Sequence, residues 1–375
     1  MASQSGRNEG RRWRIGGFAA IAATLSGAAF AAVAEPPDRL AATGLYADFA
    51  ARAVASDVRS FSPQYPLWTD GATKRRWIAL PPGTWIDATD PDAWVFPVGT
   101  RIWKEFSFGR PVETRYMELG PEGWRYATYL WASDGSDAVL APARGVRNAA
   151  ELRPGVGHAL PSRYDCRSCH EGNRSPVLGF SALQLSSDRD PLAPHAEPAR
   201  PGDVDLAALV ELGLVRALPA ELTARPPRIE AASPVERAAL GYLHGNCSSC
   251  HNDRGALAAS VGMSLEVRLA PGHAPTSGAL ATALDRASHF LPSGRPATLR
   301  VAAGDPDGSV LLRRVASRDA AEQMPPFGTR LVDEQAVALL SAWIRSQSTG
   351  AVVAGARTLA SHSQNHETIS KEKGR

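Results

Sequence analysis

All four cysteines of the 375-residue chain fall in two copies of one pattern, Cys166-Arg167-Ser168-Cys169-His170 and Cys247-Ser248-Ser249-Cys250-His251. On a helix, thiols three residues apart share one face, and an imidazole on the next residue joins them there. That set suits covalent capture of a porphyrin. Each thiol adds to a vinyl group, and the imidazole ligates the iron. C-x-x-C-H is the attachment pattern of c-type haem, whose iron takes a proximal histidine and leaves one axial position to tune the potential or to stay open for chemistry. A four-cysteine zinc site places its pairs about 15–20 residues apart, whereas 77 residues separate Cys169 from Cys247. A redox disulfide needs no histidine after its second cysteine, and both copies have one. The expectation is two covalent haem c groups, attached at Cys166, Cys169, Cys247 and Cys250, with His170 and His251 on the irons.

The second iron has a candidate sixth ligand in Met324, within Gln323-Met324-Pro325-Pro326-Phe327-Gly328. A thioether is soft and favours reduced iron, and the two prolines stiffen the loop that would hold it. No methionine lies between His170 and His251, so the first iron is less defined. Its candidates are His158, His195, His244, Met117 and Met263, or an open position. A closed, low-spin iron is expected, because segments on both sides of the Cys166 motif are able to cover it.

These residues need elements to position them. Seven of the nine tryptophans lie between Trp68 and Trp131, among short aromatic and β-branched runs at 76–79, 84–87, 94–96, 100–108, 112–119 and 124–132. Gly-Pro punctuation separates the runs, which predicts an all-β unit, a sandwich or small barrel. In the last run Trp124, Tyr126, Thr128 and Leu130 share one face, and the aromatic side chains read as packed core or as a sugar-binding platform. After residue 150 helical punctuation takes over. Ser233-Pro234-Val235-Glu236 reads as a helix start, and a second helix is predicted from Asp333, with Val337, Leu340, Trp343 and Ile344 on one face. The predicted organisation is α+β and multidomain: a β domain at 40–150, a first haem-binding segment at 151–230, mainly α-helical, and a second haem domain at 231–348, with a polar tail at 349–375.

Residues 233–347 resemble a class I cytochrome c domain, through the helix leading into Cys247–His251, the Met324-Pro325 loop and the final helix with Trp343. The string Gly304-Asp305-Pro306, Gln323-Met324-Pro325-Pro326 and Trp343-Ile344 is similar to cytochromes found beside, or fused to, quinoprotein sugar dehydrogenases. Over roughly 60–347 the chain resembles a bacterial family of diheme c-type cytochromes, through Tyr65-Pro66-Leu67-Trp68-Thr69-Asp70-Gly71, Phe96-Pro97-Val98-Gly99-Thr100, Glu113-Thr114-Arg115, Pro161-Ser162-Arg163 and Leu178-Gly179-Phe180. That resemblance implies electron transfer between periplasmic redox proteins, such as a quinoprotein dehydrogenase or a terminal oxidase. The competing class is a diheme peroxidase or oxidase whose first haem is open.

Composition agrees with an exported protein. Residues 1–34 carry Arg7, Arg11, Arg12 and Arg14 before an apolar stretch that ends Ala32-Val33-Ala34, which predicts a cleaved signal peptide and a periplasmic location. An uncleaved stretch would instead be a membrane anchor. The net charge of +3 resides in that segment, leaving 37 basic and 37 acidic residues after it. A neutral surface excludes nucleic acid as a main partner.

Overall fold

Side chains alternate along the aromatic-rich runs, and the strands pair so that each face of the sheet stays consistent. The computed structural model describes residues 35–255, 257–269, 278–290 and 299–347; the expected signal segment at 1–34 and the tail at 349–375 lie outside them. A small hairpin, β1 (Tyr46–Asp48) and β2 (Ala53–Val54), precedes the main sheet. That sheet has six antiparallel strands in the order β3 (Arg59–Ser60), β4 (Thr73–Ala79), β6 (Arg101–Phe108), β7 (Arg110–Gly120), β8 (Gly123–Trp131) and β9 (Ala138–Leu140). Outside it, β5 (Ile86–Asp87) pairs in parallel with β12 (Val215–Arg216), and β10 (Val146–Arg153) forms a hairpin with β11 (Val156–Leu160).

One face of the sheet carries Trp77, Trp103, Tyr116 and Ala127 in a cross-strand line. They close on Leu40, Leu45 and Trp131 as one apolar cluster. Trp103 is fully buried, and its indole N–H donates to Thr43 Oγ1 at 2.9 Å. Trp77, Trp94, Trp103 and Trp131 are therefore core residues rather than a sugar platform.

The opposite face carries Ile78, Ile102, Met117 and Tyr126 in register, and its cluster continues into Phe180, Leu240, Leu340 and Trp343. One hydrophobic core thus joins the sheet to the C-terminal helices. Of the eight α-helices among the described residues, only α4 (Pro234–Cys247) and α8 (Glu334–Ser346) exceed eight residues. The others are α1 (Arg163–His170), α2 (Leu206–Glu211), α3 (Ala220–Ala224), α5 (Ala258–Val261), α6 (Gly278–Thr282) and α7 (Val310–Ala316).

This corrects the expected fold class. The chain is mainly β, and the part C-terminal to the sheet is not a mainly helical haem-binding region ending in a class I cytochrome c-like domain. Residues 146–160, partly assigned to the helical segment, form a hairpin. The physical reason lies in the punctuation. Between Pro161 and Pro234 stand eight further prolines and four glycines, which end helices after one or two turns, so long stretches run as turns. Isolated helices shorter than about 12–15 residues are marginal in water, so packing must hold α4 and α8. Trp343, Leu340 and Ile344 of α8 are fully buried, each such side chain contributing about 1.5–3 kcal/mol. On α4 the small residues matter most: a Cβ at Gly241 would run into the Tyr65 ring, and one at Gly245 into the Tyr65 carbonyl. That close approach lets Trp68 N–H donate to Asn246 Oδ1 at 2.7 Å, fixing residues 65–68 on the helix.

Candidate functional site

Each cysteine motif ends a helix. Ser162 caps α1 by accepting from Asp165 N–H at 3.1 Å, while the Asp165 carboxylate accepts from Ser162 N–H at 2.8 Å. Sequence reasoning missed this capping box, although the spacing Ser162-x-x-Asp165 signals it. Cys166, Cys169 and His170 then share one helical face. At the second motif Ser233 caps α4, its Oγ accepting from Glu236 N–H at 3.1 Å, as the Ser-Pro-x-Glu pattern predicts. α4 ends at Cys247, and His251 N–H still bonds Cys247 O at 2.9 Å, so the turn continues through the motif.

The two motifs meet. Asn252 Nδ2 donates to Gly172 O at 3.1 Å, and Arg174 Nε donates to Glu266 Oε2 at 3.1 Å, clamping the loop after one motif to the segment after the other. The Cys169 thiol donates toward Cys250, which raises the pKa of the former and lowers that of the latter. All four cysteines, His170, His251 and Met324 line one cavity of about 850 Å³.

His170 is prepared as a ligand. Its Nδ1 lies 2.6 Å from Pro176 O, and only a protonated nitrogen can face a carbonyl, so Nε2 keeps its lone pair. Burial pushes its pKa down to about 4, which keeps the ring neutral at physiological pH. Tyr126 packs on it with ring centroids 5.4 Å apart. His251 is also pushed toward the neutral form by burial, and its buried Nδ1 finds no hydrogen-bond partner among the described residues. Met324 is held by its backbone N–H, which donates to Arg314 O at 2.9 Å, and Arg314 Nε donates to Glu322 O at 2.8 Å. These residues fit a covalently bound haem at each motif: a half-buried thiol pair facing the cavity, a neutral imidazole with a free nitrogen, and space beside both.

The candidates for the first sixth ligand divide. Met117 and Met263 line the cavity; His158, His195 and His244 do not. His158 is 1% exposed, with Nε2 2.9 Å from Glu113 Oε1 and Nδ1 3.8 Å from Asp70 Oδ2. His195 Nε2 lies 2.8 Å from Asp333 Oδ1. His244 Nδ1 accepts from Val267 N–H at 3.2 Å.

A wider network passes through His158. Glu113 accepts from Arg115 Nη2 at 2.7 Å and Nε at 3.1 Å, and Asp70 Oδ1 accepts from Arg330 and Leu331 N–H at 2.7 and 2.9 Å. The sheet is thereby tied to the loop after Met324. Arg76, Lys104 and Arg115 also line the cavity. Sequence reasoning missed these three cations. The signal was a lysine in the inward phase of a strand, between Ile102 and Phe106.

No helix among the described residues is long and apolar enough to cross a membrane. Compared with known proteins, the chain matches no family model, no curated protein and no solved structure.

Proposed function

We propose that this protein is a periplasmic diheme c-type cytochrome that passes electrons between redox partners. The observation that carries the reading is that two C-x-x-C-H motifs, 77 residues apart, come into contact and line one cavity. Bound haem would supply one-electron chemistry at two adjacent centres. The chain's own part is to present His170 Nε2 by bonding Nδ1 to Pro176 O, and to keep both imidazoles neutral by burial. The Asn252–Gly172 and Arg174–Glu266 contacts hold the motifs at fixed separation. The experiment is haem staining after denaturing electrophoresis, with the mass of the intact protein. Two haems per chain are expected, and a mass fitting one or none sinks the reading.

Met324 is proposed as the sixth ligand of the second haem. Met324→Ala is expected to abolish the sulfur-to-iron absorption band and to lower one of two reduction potentials, since a soft ligand to reduced iron is lost. An unchanged band in that variant assigns the ligand elsewhere.

A second reading, a diheme peroxidase or oxidase with an open first haem, draws on one observation. His158 and His195 are both engaged by carboxylates and lie outside the cavity, so of the five candidates only Met117 and Met263 line it and no histidine among them closes the first iron. Cyanide titration of the oxidised protein separates the readings: slow or absent binding fits the carrier, and rapid binding with a high-spin signal fits the enzyme.

A further inference from the structure

The sheet wall of the cavity carries three basic residues in a line. Arg76 on β4 is directly opposite Lys104 on β6, and Lys104 is directly opposite Arg115 on β7. Like charges in cross-strand register repel one another, and all three side chains line the cavity. Their compensation is incomplete. Arg115 is paired with Glu113. Arg76 is 4% exposed, its nearest carboxylate is that of Glu197 at 3.6 Å, and neither of its terminal nitrogens has a hydrogen-bond partner among the described residues. Lys104 has no carboxylate at ion-pair distance among the described residues, and its Nζ lies 5.0 Å from the Phe106 ring centroid. Arg115 sits over the same ring at 4.2 Å.

Buried donors without acceptors are costly, and a surplus of buried positive charge more so. A bound anion removes both costs. We propose that Arg76, Lys104 and Arg115 form a binding site for a small carboxylate or inorganic oxyanion on the sheet wall of the cavity, beside the first C-x-x-C-H motif. Guanidinium groups flanking an ammonium suit such a ligand, because the planar forks bind two oxygens while the lysine adds a point charge. Burial, together with the neighbouring Arg76, Lys74 and Arg115 charges, pushes the pKa of Lys104 well below the usual lysine range, so its ammonium form is disfavoured until an anion joins it.

The anion chemistry stands without the cytochrome reading; its place beside a haem rests on that reading. One alternative source of the same carboxylate chemistry is a haem propionate. Titration of the protein with its haems in place separates the two sources, because only a site left open by the haems takes up a free anion.

The test is calorimetric titration of the purified full-length protein with succinate, and separately with inorganic phosphate, at constant ionic strength. Saturable binding of at least one probe is expected, weakened at least tenfold in Lys104→Met and in Arg76→Gln. Lys104→Met removes a half-buried amine that has no carboxylate at ion-pair distance among the described residues and keeps the aliphatic stem, so it is expected to fold as well as the parent, and a loss of binding in it is not a loss of structure. If neither probe binds, the row takes up no free anion and the proposal fails, whatever Lys104→Met does to a potential, because losing a nearby positive charge lowers a potential by itself. A chain isolated without haem removes the cytochrome reading and leaves the calorimetric result to decide this one.

Discussion

Replacing Cys166 and Cys169 together by alanine is expected to remove one of two haems and leave the spectrum of the other largely intact. The variant loses both thioether positions of the first motif but keeps α4, its Ser233 cap and the Met324 loop, none of which depends on α1. No residue of α1 is buried, so little folding energy resides in the altered helix. The measurement is haem content per chain with the spectrum of the reduced protein. Retention of two haems, or loss of both, would refute the assignment of one haem to each motif. A smaller change is also expected at the second site, because the two motifs touch through Asn252 and Gly172.

Glu113→Ala is expected to cost about 3–5 kcal/mol, the usual effect of removing one partner from a buried ion pair. That is a large share of the roughly 5–15 kcal/mol by which folded domains are stable. Glu113 is fully buried and serves both the Arg115 guanidinium and His158 Nε2, so the variant strands two groups at once. The network also sets a pH profile. Burial alone would raise the Glu113 pKa, but Arg115 and His158 outweigh it and bring it below its ordinary 4.5. Burial alone would lower the His158 pKa, but Asp70 and Glu113 outweigh it and raise it above 6.5. The depressed carboxylate contributes stability above pH 4.5, lost as pH falls through its folded value. The raised histidine contributes stability below pH 6.5, lost as pH rises through its folded value. Their joint contribution is therefore fullest between about pH 4.5 and 6.5 and declines on either side. Urea unfolding midpoints of parent and Glu113→Ala across pH 4 to 9 check this. Coincident curves would show that the network is energetically silent.

Local chemistry was readable in the sequence where it depends on neighbours in the chain. The Ser233 and Asp333 caps, the shared face of Trp124, Tyr126, Thr128 and Leu130, and the paired cysteine motifs all rest on short spacings. What could not be read was pairing. Lys104 is one lysine in a strand until β4 and β7 place Arg76 and Arg115 on either side of it. His158 is equally a free imidazole in the sequence, and only the fold delivers Glu113 from 45 residues away. The expectation of a separate helical region failed for the same reason, because the apolar stripe of α8 packs into a core that begins in the sheet.

The carboxylate of Asp70 has a consequence for the order in which the molecule is completed. Its backbone partners, Arg330 and Leu331, stand 260 and 261 residues further along the chain. Tyr65 and Trp68 wait similarly on Asp190 and Asn246. Contacts of such sequence separation form slowly, since the intervening chain must be gathered first. The segment at 61–70, among the earliest described residues to be synthesised, can therefore be among the last to find its acceptors and donors. A nascent chain stopped before residue 330 holds an aspartate with no backbone to cap, so the segment at 61–70 stays unpinned until the loop after Met324 is in reach.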